Sequence, residues 1–375
     1  FRTALQVLSD FYFMRGYYLG VESFKNFAKF FQDQCHSGVD AEKPGRLLLL
    51  TALTYQAYFL SMLGAVEEAE EIARKILPEL RDLNILQELR VCLMSLGINA
   101  SFRGDYKKAE QDFIEGLEIA ENSQHMFGIV GAKIWLGWVY YEQGANEEAL
   151  QEWLDGQDTA IQIKNRLILA FVQSKLALLG EETGDYENAI KIQLQARENF
   201  EHFGDEVGVG YATSRLALSL MGIGEYHEAK RFGQEALQCF RNMNHRWGIP
   251  ASLCRIGFAE IELGEYEAAW AHLKEALYLA KKGQIGTLVL YSLIGLSQLL
   301  AENNQIEQGV KNLSFVVSNP ITPSLYREMA GQRLGELEKK LPADKFYTAR
   351  AAGEDSQVEE IIGSLPPSLE GSQKV

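Results

Sequence analysis

Cysteine, histidine and cationic side chains are all scarce in this chain, and each scarcity removes a class of function. The four cysteines, Cys35, Cys92, Cys239 and Cys254, lie far apart with no CxxC pair. Neither a disulfide framework nor a thiolate zinc site has its spacing here. Thiols buried in helices of a reducing compartment are expected instead. The six histidines form no HExxH and no His–Cys cluster, so no metal is expected. There is no GxxxxGK[ST] phosphate loop, and Gly208-Val209-Gly210 lacks the third glycine and the preceding strand of a dinucleotide site. No cofactor is expected. Lys and Arg total 36 against 51 Asp and Glu, a net charge of -15. That balance argues against direct nucleic-acid binding, which needs cationic surface to displace counterions.

Long apolar runs are missing too. The most apolar stretch, Ile285 to Ala301, is interrupted by Ser292, Ser297 and Gln298, and it is short for a bilayer span. No membrane segment is expected, and the location is expected to be cytoplasmic. Phe1-Arg2 opens directly into a helical pattern without an initiator Met or a secretory leader. A piece of a larger protein is expected to start this way, and processing or tag removal would give the same start. Carboxylate pairs such as Glu67-Glu68 and Glu147-Glu148 fall at helix starts, where the helix dipole favours them. No activated Ser, Cys or Lys is visible. The expectation is that the chain is not an enzyme and has no catalytic residues.

What the chain does contain is a ruler. Gly64, Gly104, Gly144, Gly184, Gly224, Gly264 and Asn304 follow one another every forty residues without insertion or deletion. Five residues after each stands a small residue: Ala69, Ala109, Ala149, Ala189, Ala229, Ala269 and Gly309. Seven before stand Ala57, Gly97, Gly137, Ala177, Ala217, Gly257 and Ser297, and twelve after stand Gly116, Gly156, Ala196, Ala236 and Ala276. A fixed period of this length means stacked supersecondary units. Within one unit, Ile249 to Leu263 carries apolar residues at helical spacing, Gly264 stops it, and Tyr266 to Lys281 starts a second helix. Each repeat is therefore a helical hairpin. The matched small residues are expected to let its two helices approach closely.

The chain divides into residues 1-45, an N-terminal helix pair turning near Gly16 and a loop from His36 to Gly45; residues 46-319, seven forty-residue repeats; residues 320-341, a capping helix; and residues 342-375, a short helical segment and a disordered tail. The fold class is all-α, a superhelical solenoid of about eight antiparallel helix pairs.

Leu136-Gly137, Tyr140, Gly144 and Ala149, and likewise Leu96-Gly97, Gly104-Asp105-Tyr106 and Ala109, resemble tetratricopeptide repeats over roughly residues 46 to 341. That resemblance implies a right-handed superhelix. It is highly specific for fold and nearly silent on function. The linkers His245-Arg246-Trp247-Gly248-Ile249, Gly204-Asp205-Glu206-Val207-Gly208 and His125-Met126-Phe127-Gly128-Ile129 narrow it. They are similar to the long-period repeats of bacterial signal-transduction ATPases and maltose-type transcriptional activators, as is the tail from Phe346 to Gly353. The resemblance implies a C-terminal sensor arm that binds an inducer or partner protein and controls an upstream nucleotide switch. Similar repeats occur in eukaryotic polarity adaptors, and a stand-alone scaffold that assembles protein complexes is the alternative function.

The resemblance also implies that the first helix of each pair lines a concave face. Its inward positions include Tyr58, Ile98, Phe102, Trp138, Tyr141, Phe171, Leu178, Tyr211, Leu218, Phe258 and Tyr291. An apolar, aromatic face of this extent fits a protein or peptide partner, or an apolar small-molecule inducer. If the superhelix winds tightly, or a neighbouring chain fills the groove, the same residues are core. Lys175, Arg215 and Arg255 recur nine residues before the ruler and are candidate anion contacts; pairing with Glu181, Glu182 or Glu262 would make them structural. The sequence leaves the oligomeric state open.

Overall fold

The computed structural model describes residues 2–15, 17–36 and 42–369. It is built from α1 (Arg2–Arg15), α2 (Tyr17–His36), α3 (Glu42–Met62), α4 (Val66–Asp82), α5 (Leu86–Arg103), α6 (Tyr106–Asn122), α7 (Met126–Gln143), α8 (Asn146–Gln162), α9 (Arg166–Glu182), α10 (Tyr186–Phe203), α11 (Glu206–Gly222), α12 (Tyr226–Asn242), α13 (Gly248–Glu262), α14 (Tyr266–Lys282), α15 (Gly286–Glu302), α16 (Ile306–Ser318), α17 (Ser324–Glu338), α18 (Ala343–Glu354) and α19 (Val358–Gly363). No strand occurs among the described residues. From α1 to α17 each helix packs on its sequence neighbours, and the first helices of successive repeats also touch. The sequence places a loop from His36 to Gly45, yet α3 already begins at Glu42. Pro44 sits in its first turn, where a missing N–H costs nothing. Residues 370–375, expected as disordered tail, lie outside the described residues, as does Gly16.

Every ruler position has positive φ, from +62° at Asn304 to +84° at Gly104. The ruler is the left-handed residue that ends each first helix, which is why glycine recurs there. A second left-handed turn ends each second helix, at Asn84, Gln124, Lys164, Gly204, Asn244 and Gln284. Only one of these is glycine, so this half of the repeat left no glycine signature.

Close packing inside the hairpins works differently from the matched-small-residue expectation. A Cβ on Gly97 would lie 2.5 Å from the Phe113 ring, one on Gly137 2.4 Å from Trp153, and one on Gly257 2.6 Å from Leu273. Each of these glycines faces a large side chain nine residues beyond the ruler. By contrast, a Cβ on Gly116 would come no closer than 3.9 Å to its nearest neighbour.

The solenoid closes on itself after one turn. The Arg246 amide donates to the Leu63 carbonyl at 2.7 Å. The Arg246 guanidinium pairs with Glu68 at 2.9 Å, and Gln284 donates to Glu67 at 2.6 Å across 217 residues of chain. Arg103 approaches Gln284, 181 residues away. α5 meets α15, and α7 meets α17. One superhelical turn is therefore about five repeats, and its edge seals against the next turn. α18 then packs on α16, with Gly353 so close that a Cβ would overlap the Lys311 carbonyl.

Candidate functional site

Closure splits the concave face into two regions. On one side, α13 and α15 are buried almost all round: α5 and α17 lie against α15, and Arg333 of α17 reaches Glu262 of α13. On the other, the first helices of repeats one to five enclose a cavity of about 290 Å³. That volume is in the range of small-ligand sites, which run from about 300 Å³ upward.

The predicted residues divide accordingly. Tyr58, Phe102, Trp138, Phe171 and Tyr211 line the cavity, as do Lys175 and Arg215. Ile98, Tyr141 and Leu178 are buried in packing away from its wall. Tyr141 lies between Trp138 and Trp153, tilted against each, with ring centroids at 5.8 and 5.9 Å. Phe258 and Tyr291 form a column with Tyr326 of α17: Phe258 lies 4.8 Å from Tyr291, and Tyr291 stacks flat on Tyr326 at 4.4 Å. Leu218 is half-buried and does not line the cavity. Arg255 is buried and donates from Nη1 to Ser214 Oγ. Among the described residues its Nε has no hydrogen-bond partner, and burial pushes its pKa down.

Several lining residues escaped the sequence reading, Gln6, Tyr55, Phe59, Arg90 and Trp135 among them. Three others, Trp247, Phe127 and His125, come from the linkers rather than from the inward face of a first helix. The signal was present in the linker motif itself, whose apolar position is Phe127 in one repeat and Trp247 in another. The linkers fold as they do because their first polar residue caps the next helix. His125 Nδ1 accepts from the Gly128 amide at 2.9 Å, and His245 Nδ1 from Gly248 at 3.0 Å. Asn165 and Asp205 do the same for Ile168 and Gly208. Burial pushes the His245 pKa down to about 3, so its neutral ring serves as a cap. Its Nε2 lies 3.3 Å from the Tyr211 hydroxyl.

Trp247 joins the cavity to the seam. Its ring stacks on Phe102 at 5.9 Å and leans on Tyr211 at 5.5 Å. Its backbone nitrogen would lie 2.6 Å from a Cβ placed on Gly64 of the adjoining turn. Elsewhere, burial pushes the thiols of Cys92 and Cys254 up to about 12 and that of Cys239 to about 11, which keeps them protonated. Among the described residues no group of three or more His, Cys, Asp or Glu is placed to hold a metal. No described helix is long and apolar enough to cross a membrane.

Residues 250–282 match the tetratricopeptide repeat family model. No curated protein matches the sequence. Among solved structures, the chain is similar to Rap protein complexed with Competence and Sporulation Factor, at 14% identity over 88% of this chain and 99% of that one, with a TM-score of 0.56. It is also similar to NprR in complex with its cognate peptide NprX, at 14% identity over 92% and 95% with a TM-score of 0.53. The apo form of the quorum sensor NprR from B. thuringiensis aligns at 14% identity over 92% and 97%, with a TM-score of 0.51. Identities of this size speak to architecture alone: the chain is an all-α helical-repeat solenoid in which residues 250–282 match the tetratricopeptide repeat.

Proposed function

We propose that the chain is a binding module, the sensor or adaptor part of a larger regulatory protein, which takes a short peptide or an inducer of similar size into its lumen. The observation that carries this reading is the aromatic cavity enclosed by five consecutive first helices. Protein interiors ordinarily close such spaces by packing, and an open apolar surface of this kind marks a binding site. The relatives in fold lend support, since the Rap structure holds Competence and Sporulation Factor and one NprR structure holds its cognate peptide.

The position of Trp247 supplies a mechanism. An occupant that presses on Trp247 and Tyr211 acts on the side chain whose backbone abuts Gly64 across the seam. A ligand that prefers one seam geometry shifts the balance between closed and open turns, and with it the surface offered to an attached domain.

The test is affinity capture from a native extract with the chain and its Phe171→Ser, Tyr211→Ser variant side by side, read by mass spectrometry for peptides and metabolites. The same compound retained by the parent and lost by the variant, with the helical circular-dichroism signal unchanged, is expected. Equal retention by both would remove the lumen from the function and favour the scaffold alternative acting through the outer face.

A further inference from the structure

Two of the cations that line this chamber, on neighbouring first helices, have no carboxylate within ion-pair distance among the described residues. Lys175 on α9 and Arg215 on α11 both line the cavity and both face Trp138. Lys175 Nζ lies 4.1 Å from the ring centroid, and Arg215 Cζ lies 5.5 Å from it. Among the described residues neither takes part in an ion pair. The carboxylates of the same region are held by neutral donors on other helices: Glu142 by the Tyr106 hydroxyl at 3.1 Å, Glu181 by Ser219, and Glu182 by Asn146. Burial, reinforced by Arg215, pushes the Lys175 ammonium down to about 7, and burial pushes Glu142 up to about 7. A charge withdrawn from water is costly, an aromatic face compensates only in part, and Glu142, which faces both cations, is itself pushed toward its neutral form. Two such charges converge on one ring at the wall of an apolar cavity.

We infer that the occupant of the chamber is an organic anion: its negative group seats between Lys175 and Arg215 beside Trp138, and its apolar body lies along Phe171, Tyr211 and Trp135. This rests on the reading of the lumen as a ligand site and specifies its chemistry. Charge-assisted contacts from an ammonium and a guanidinium are stronger than neutral ones, and exclusion of water strengthens them further. Capture of the anion also draws a proton onto Lys175 wherever that group is neutral. The groups facing Lys175 are Arg215 from α11 and Glu142 from α7, so the proton balance belongs to that trio.

The experiment uses two fluorescent probes of one shape, anilinonaphthalene sulfonate and the uncharged phenylnaphthylamine. They are titrated into the chain, into Lys175→Gln with Arg215→Gln, into Lys175→Arg, and into Gly131→Trp. A Cβ on Gly131 would have only Met94 within reach, at 3.7 Å, so the added indole has room to enter and fill the chamber. The expected result is one sulfonate site per chain, bound at least about tenfold more tightly than the neutral probe. The double variant should lose that preference while keeping the neutral probe, which also reports that its chamber is intact. Lys175→Arg should retain the preference, and Gly131→Trp should abolish both probes. A second pair, N-acetyl-Leu-Leu-Phe as free acid and as carboxamide, separates the sources. Preference for the acid assigns the anion to a peptide carboxylate; preference for the sulfonate alone assigns it to a compact organic acid. Equal binding of charged and neutral members in both pairs overturns the anion site but leaves the lumen a ligand site. Binding of no probe, or binding insensitive to Gly131→Trp, overturns the lumen reading itself.

Discussion

Gly64 and Gly264 occupy equivalent places in repeats one and six, with φ of +73° and +75°. Their surroundings differ. Nothing lies within 4 Å of a Cβ placed on Gly264, whereas one on Gly64 would sit 2.6 Å from the Trp247 backbone nitrogen and 2.9 Å from its Cβ. Alanine at either position meets the left-handed penalty of about 1–2 kcal/mol. At Gly264 the cost ends there. At Gly64 the adjoining turn must also move, and overpacking of this kind costs about 1–3 kcal/mol more. Displacement would further strain the bond from the Arg246 amide to the Leu63 carbonyl, a contribution of about 1 kcal/mol. The expected difference between the two variants is therefore about 2–4 kcal/mol. Urea unfolding measures the totals, and hydrogen exchange at the Arg246 amide locates them. Gly64→Ala should accelerate exchange at Arg246, and Gly264→Ala should leave it protected. Equal losses of stability with equal protection at Arg246 would refute a closed seam.

Gly137→Leu drives a side chain into Trp153, whose indole N–H donates to the Ile134 carbonyl at 3.1 Å; it should cost on the order of 1–3 kcal/mol in a urea melt. Asp205 caps α11 from a buried position with Oδ2 unpartnered, and burial pushes its carboxyl up to about 7. The native state thus holds a proton that the unfolded state has released between about pH 4 and pH 7, so this group's contribution to stability falls as pH rises through that window. Asp205→Asn, which places at this position the cap already used by Asn165, should raise stability at pH 8 by on the order of 1–2 kcal/mol. The gain should vanish near pH 4, where a melt of both proteins should coincide. Lys164→Gly, at an exposed left-handed position with φ of +54°, should stabilise the array by up to about 1 kcal/mol, a thermal-melt increment that an alanine at the same site would not give.

The hairpins, their ends and their stacking were legible in the sequence because each depends on local rules. Positive φ selects glycine, and a forty-residue spacing of glycines can have few causes. The second left-handed turn was illegible for the same reason: Asn84, Gln124, Lys164, Asn244 and Gln284 tolerate that conformation without announcing it. The first-helix offset placed Tyr58, Phe102, Trp138, Phe171, Tyr211, Lys175 and Arg215 on one wall. It could not separate them from Ile98, Tyr141, Phe258 or Tyr291, because that division is made by superhelical pitch. Pitch accumulates from small rotations at every interface, and no single residue encodes it. Gly64 and Gly264 look identical in the sequence, yet one abuts another turn and the other faces open space.

Solenoids are usually free to change length, since each unit touches only its neighbours and duplication of one leaves the others undisturbed. The seam removes that freedom here. One extra unit between Leu63 and Arg246 would carry the second partner forty positions past the first, and both the Arg246–Glu68 and Gln284–Glu67 pairs would lose their register together. Copy number in this stretch is thereby tied to the circumference of the coil. Descendants of such a chain can vary their linkers and side chains, but they can gain or shed a whole unit there only by opening the ring.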